Sequence, residues 1–315
     1  MRYSQRAAFA QGTTGNLRSQ AKAFLMFCYY YGVNPFPATL DTVCMYAQFL
    51  SRSFRAVDSI KNYISGVKLL HVLSGLPFPH LATIELRLLV KGLAKLNPFL
   101  PRQALPITPA ILLHMYAVMD CDNPMYVALW CAYVLAFFLF ARKSNMVPVS
   151  ARAFDPAKHL CRSDIMLARG HVLVYIKWSK TIQCADRYLL IPLVAIPGSP
   201  LCPRWAVTRM ISTIKAPSTA PAFVYPTPQG LHTITHARFT QELRRLLALA
   251  GHNPQGYSGH SFRRGGASFA LQAGVPGEMI RVHGDWKSEA YLRYLDIPMR
   301  DRSRVSAHMA ASLPL

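Results

Sequence analysis

Residues 259–298, GHSFRRGGASFALQAGVPGEMIRVHGDWKSEAYLRYLDIP, decide how the chain is read. His260 and Arg263 stand three residues apart, which on a helix places an imidazole and a guanidinium on one face. Gly274, Val275 and Pro276 mark a turn, Gly284, Asp285 and Trp286 mark a second break, and Tyr291 and Tyr294 follow. The segment therefore folds back and can bring a phenol to the His/Arg pair. That combination is a phosphate site with a nucleophile beside it.

The rest of the chain supplies the charge such a site needs. Among 315 residues there are 35 Lys and Arg against 14 Asp and Glu, a net charge of +21. A chain this basic seeks a polyanion, nucleic acid before an anionic membrane surface. Cys28, Cys44, Cys121, Cys131, Cys161, Cys184 and Cys202 are odd in number, scattered and never spaced C-x-x-C, which excludes a disulfide framework or zinc site and fits a reducing compartment. The first residues, MRYSQRAAFAQGTTG, lack the apolar core of a secretory signal. The apolar run 125–140 stops at Arg142 and Lys143, short of the roughly 18 to 20 residues that cross a bilayer, and reads as a buried helix.

Hydrophobic spacing predicts helices at 13–31, ending at Gly32, at 40–50 behind Thr39, at 57–73 and at 81–96. The third carries Lys61, Lys68 and His71 on or near its polar side, while Tyr29, Tyr30 and Tyr31, close to Phe24 and Phe27, read as core. Residues 97–106, NPFLPRQALP, form an extended linker. Thr108 and Pro109 open the next helix as N-cap and first helical residue. The alternating run 171–176 and its partner 188–192 predict two strands joined by the basic connection 177–183. Helices are expected again at 204–214 and 234–250, separated by a loop at 217–221. His232 and His236 have metal-like spacing, but no further ligands stand near, so they read as a polar helix start. The fold class expected is mainly α with a small β component, in two domains, 1–105 and 106–315.

The quoted stretch resembles the C-terminal half of a tyrosine recombinase (phage integrase family) catalytic domain. Its pattern is His-x-x-Arg, then a nucleophilic Tyr preceded nine residues earlier by His or Trp; here nine residues before Tyr294 is Asp285, a departure. The wording GDWKSEAYLRY is similar to eukaryotic mobile-element recombinases of the DIRS and Crypton type. The resemblance implies an all-α core-binding, DNA-binding domain at 1–105 and a tyrosine-recombinase-like catalytic domain at 106–315.

It also implies catalytic roles for five residues. Arg142, in FARKSN, and Arg263 hold the phosphate, with Arg264 the adjacent alternative to Arg263. Lys180, in WSKT, acts as acid for the departing 5′-oxygen, with Lys177 its rival. His260 handles the tyrosine proton. Tyr294 is the nucleophile, and Tyr291 reads as an apolar-face residue. An acidic residue common three positions after the first arginine is Asn145 here, a second departure. A carboxylate cannot donate to a phosphate, so Asp285 reads instead as N-cap of the helix carrying Tyr294, with the Trp286 indole or His283 as substitute donors.

The function so implied is cutting and rejoining of double-stranded DNA through a covalent 3′-phosphotyrosine by a homotetramer, without cofactor, metal or membrane. A mobile-element integrase, or a protein derived from one, residing in the nucleus is the implied source. Two alternatives stay open: a DNA-binding protein that kept the fold and lost the chemistry, and a type IB topoisomerase-like enzyme.

Overall fold

The computed structural model describes residues 8–9, 11–100, 102–182, 187–296, 303, 307 and 309–311. Cys184, Gln183 at the end of the predicted connection, linker residue Pro101, residues 297–298 of the quoted stretch and most of the first ten residues lie outside them. The chain divides into two compact units, Met1–Arg102 and Gln103–Leu315.

Among its described residues the first unit is helical: α1 (Gln11–Tyr31), α2 (Leu40–Ser51), α3 (Val57–Ser74) and α4 (Ile84–Leu96). Several boundaries have a local cause. Gly32 takes the left-handed conformation (φ 63°) that ends α1. The Thr39 hydroxyl accepts from the Thr42 amide, and that of Thr83 from the Leu86 amide, so α4 begins after its cap rather than at Leu81 as spacing suggests. Phe24, Phe27, Val43, Tyr46, Ile60, Ile64 and Val67 build the core.

Two expectations fail here. His71 is wholly buried, not on a polar side: its Nε2 accepts the Ala38 amide at 3.0 Å and its Nδ1 meets the Val67 carbonyl at 2.9 Å. Burial is tolerated because both ring nitrogens are satisfied. Tyr29 and Tyr30 are exposed rather than core, and Tyr31 packs at the margin on Phe27 and Phe49.

In the second unit α5 (Pro109–Ala117) and α6 (Pro124–Phe138) are followed by the single turn α7 (Lys143–Met146). Next come β1 (Ile165–Ala168), β2 (His171–Ile176) and β3 (Leu189–Val194), then α8 (Pro203–Thr213). A hairpin, β4 (Val224–Thr227) and β5 (Gly230–Thr233), precedes α9 (His236–Leu249), α10 (His260–Gln272), α11 (Gly277–His283) and a 3-10 helix, Glu289–Tyr294. Helix α6 is buried on every side, which explains its uninterrupted apolar sequence. Among the described residues no helix is long and apolar enough to cross a membrane.

Strands β1, β2 and β3 pair antiparallel in that order, with Val174 facing Ile165 on one side and Ile191 on the other. Val172, Val174, Ile191 and Leu193 turn one face of this sheet into the α6 core. Sequence spacing found β2 and β3 but neither β1 nor the β4–β5 hairpin, which lies between the expected loop at 217–221 and the helix after it.

Helix α10 packs against its neighbours with almost no clearance. A Cβ on Gly265 would lie 1.8 Å from the Ile107 carbonyl oxygen, and one on Gly266 2.1 Å from that of Phe137. Gly265 therefore lets α10 close on Ile107 and Gly266 on the end of α6, which seats the first turn of α10 carrying Arg263.

Candidate active site

Four predicted site residues converge around that first turn. Arg263 is 2 % exposed and donates to the Gly284 carbonyl at 2.7 Å and to the Phe140 carbonyl. Its guanidinium carbon lies 3.5 Å from the centroid of the Trp286 ring and 5.3 Å from that of Tyr294. One side chain thus ties together the ends of α6 and α11 while stacking on the Tyr segment. Burial first, then the Arg142 charge, push Arg263 down to about 9, with Tyr294 and Asp285 pulling the other way, so it stays charged at neutral pH.

Arg142 caps α7 after the left-handed turn at Phe140 (φ 47°) that reverses the chain beyond α6. It is half-buried, and its guanidinium makes no hydrogen bond or ion pair among the described residues. Arg142, Asn145, Ser179, Arg263, His283 and Asp285 line one small cleft. Arg264, the alternative to Arg263, faces elsewhere, onto Gln103 and 3.8 Å from Asp296.

His260 opens α10 with its ring 6.5 Å from that of Tyr294. Partial burial, then the charges of Arg263, Arg142 and Lys143, hold its imidazole below the ordinary value. At neutral pH it is a base with a free lone pair. Tyr294 ends the 3-10 helix half-buried, its ring 5.5 Å from Trp286. Tyr291 is buried in a small cluster with Phe140, Ala267, Ile280 and Trp286 and has a packing role.

Lys180 is exposed at the tip of a four-residue turn closed by the Ser179 amide to the Ile182 carbonyl (3.1 Å) and the Ile182 amide to the Ser179 carbonyl (3.2 Å). Lys177, its rival, is held 2.7 Å from Asp164 and 3.5 Å from the Cys161 sulfur. It is a strand-end ion pair.

Asp285 is not an N-cap. It follows α11 in the left-handed conformation (φ 54°), its amide bonded to the Val282 carbonyl and that of Trp286 to the Arg281 carbonyl, a Schellman helix end. Ser288 caps the 3-10 helix instead, accepting from the Ala290 amide. The Asp285 carboxylate accepts from Ser179 (2.5 Å), Thr181 and Arg187. Burial raises its affinity for a proton, but those three donors outweigh burial and hold it below the usual carboxylate range. Of the two substitute donors, His283 is bonded to the Phe138 carbonyl at 2.8 Å, whereas the buried Trp286 indole N–H has no hydrogen-bond partner among the described residues.

Solved structures share this architecture. A lambda integrase dimer bound to a COC' core site matches over 96% of this chain and 94% of its own, at 16% identity and TM-score 0.57. The Tn1549 transposon integrase with circular intermediate DNA matches over 96% and 95%, at 12% identity and TM-score 0.57. A XerH site-specific recombinase in a post-cleavage complex matches over 87% and 70%, at 10% identity and TM-score 0.52. The chain has the tyrosine recombinase fold. No protein-family model and no curated protein matches its sequence.

On the tyrosine recombinase fold, sequence reasoning missed the partners of Asp285. Ser179 and Thr181 flank Lys180 in the chain, yet nothing in their spacing ties them to a residue more than a hundred positions on. No group of three or more His, Cys, Asp or Glu that could hold a metal occurs among the described residues.

Proposed function

We propose that this chain cuts and rejoins double-stranded DNA through a covalent 3′-phosphotyrosine. The supporting observation is the Tyr294 phenol set against His260 and buried Arg263, with Arg142 lining the adjacent cleft. In this reading the Tyr294 oxygen attacks the scissile phosphorus and its proton passes to His260. Arg142 and Arg263 stabilise the charge gathering on the non-bridging oxygens. The P–O5′ bond breaks, and Lys180 protonates the leaving oxygen. Attack by a 5′-hydroxyl on the phosphotyrosine reverses these steps and restores the phosphodiester, so the bond energy is conserved. The helical first unit serves as a second DNA-binding module. By the same reading the protein acts as a homotetramer in the nucleus and is a mobile element's integrase or derives from one.

Covalent capture tests the proposal. The chain is incubated with nicked duplexes carrying a randomised stretch, so that the short 5′-hydroxyl fragment diffuses away and the adduct cannot reverse. Adducts that survive denaturant are sequenced. Recovery of a defined site supports strand transfer. Salt-sensitive binding with no adduct supports instead a binding protein without chemistry, the reading that Asn145 and Asp285 favour.

Two further outcomes are expected. With a net charge of +21, duplex affinity should fall by about three to five decades between 50 and 200 mM salt if roughly 6 to 10 phosphates are neutralised, as measured by fluorescence anisotropy. The lowered His260 value sets the pH dependence. His260 acts as a base, so protonating it in the folded chain removes activity, and that protonation falls below the ordinary histidine value, near 6.5. Single-turnover adduct formation should therefore have an acid limb below about pH 6.5, and His260→Asn should abolish that limb.

A further inference from the structure

Residues 178–181 are gripped from two sides. Asn145 donates from Nδ2 to the Trp178 carbonyl at 2.9 Å, and Asp285 receives the hydroxyls of Ser179 and Thr181 on one carboxylate oxygen. These are the two positions at which the chain departs from the recombinase pattern, and both contact the segment that presents Lys180. The Ser179 hydroxyl also accepts the Thr181 amide at 3.0 Å and the Ile182 amide at 3.2 Å, so the grip on Ser179 is a grip on the whole turn. Arg187, which precedes β3, holds the other carboxylate oxygen.

The backbone at Asp285 gives a second, independent indication. A left-handed residue at a helix end favours glycine, and aspartate persists there when its side chain is over-determined by partners. Three donors meet that condition. They also answer the objection to a carboxylate in a phosphate cleft, because its acceptor capacity is turned toward the hairpin and neutralised by Arg187. Among the described residues lining the cleft Asp285 is the one carboxylate.

We infer that Asp285 is a positioning residue for Lys180: by clasping the two neighbours of Lys180 it fixes the turn, and hence the lysine, relative to the segment that carries Tyr294. This rests on the strand-transfer reading above, in which Lys180 protonates the leaving oxygen. In this role Asp285 makes no contact with DNA.

The test uses a substrate that needs no acid. In a duplex whose scissile 5′-bridging oxygen is replaced by sulfur, the leaving thiolate departs unprotonated, so a defect confined to proton delivery disappears. Single-turnover adduct formation is measured for the full chain on the nicked duplex recovered by covalent capture, in oxygen and sulfur forms. Lys180→Ala should slow the oxygen substrate by about 10²- to 10⁴-fold. Asp285→Ala, and the double variant Ser179→Ala with Thr181→Val, which leaves the α11 end untouched, should each slow it by roughly one to two decades. All three should approach wild-type rates on the sulfur substrate, whereas Arg142→Ala should stay slow on both. Asp285→Asn, which keeps the left-handed preference and an acceptor, should restore part of the loss.

Equal slowing of Asp285→Ala on both substrates, or no slowing on either, overturns the inference. Hydrogen exchange separates the two layers of the argument. The Thr181 and Ile182 amides should exchange faster in Asp285→Ala than in wild type, with or without DNA, and unchanged exchange overturns the clasp itself. A wild-type chain that forms no adduct on either substrate overturns the strand-transfer reading, and with it the proton-delivery role, while the exchange measurement still decides whether the clasp exists.

Discussion

Replacing Tyr294 with phenylalanine should remove covalent attachment to nicked DNA, lowering its rate at least about 10⁴-fold, the scale on which loss of a nucleophile is felt. Duplex binding should be unchanged. The substitution deletes one oxygen from a half-buried ring that keeps its contacts with Trp286 and His260. Tyr291→Phe provides the control. Its ring is buried beside Trp286, so its hydroxyl has a local role and the adduct should form as before. Denaturing gel analysis of both variants on one duplex decides the register. An inactive Tyr291→Phe with an active Tyr294→Phe would place the nucleophile one turn earlier.

The largest effect on stability is expected at Gly265. An alanine Cβ there would lie 1.8 Å from the Ile107 carbonyl oxygen and 2.9 Å from the Ile107 amide nitrogen. That amide is itself bonded to the Ser261 carbonyl at 3.0 Å, so the strap cannot move away without breaking a buried hydrogen bond. Alanine gains about 1 kcal/mol of helix propensity, but overpacking against backbone costs about 3 kcal/mol or more. For a unit of this size the melting temperature should drop by roughly 5 to 10 °C. Gly92→Ala on α4 is the contrasting case: nothing lies within 4 Å of its Cβ, so the same substitution should stabilise by up to about 1 kcal/mol. Thermal melts of both variants test this pair of signs.

How far the sequence could be read depended on what kind of signal each part carries. Helix caps such as Thr39, Thr108 and Gly32 announce themselves by residue type, because the physics is local. The Arg142, His260, Arg263 and Tyr294 constellation was legible as motifs, though not the burial of Arg263, which depends on carbonyls from two distant turns. His71 could have been found. It follows Ile60, Ile64 and Val67 at helical spacing, on the buried stripe of α3, and only its polarity argued for the outer face. Strands β4 and β5 left little trace, since Pro226 interrupts one and the other is largely exposed. Asp285 misled because Asp before Trp-Lys-Ser suits an N-cap, whereas its left-handed backbone belongs to the helix before it.

The cations Arg142, Arg263 and Lys143 crowd one end of α10, and the one carboxylate among the described residues lining the cleft is committed to the hairpin. Folding brings these like charges together before any anion arrives. A ligand that binds the native state alone stabilises it, by about 2.7 kcal/mol at a hundred times its dissociation constant. In the proposed reading, the phosphate groups of the substrate supply the missing counterions. If the chain binds DNA as proposed, the population detached from it is the one most exposed to unfolding and degradation, and the lifetime of the polypeptide becomes coupled to the occupancy of that site.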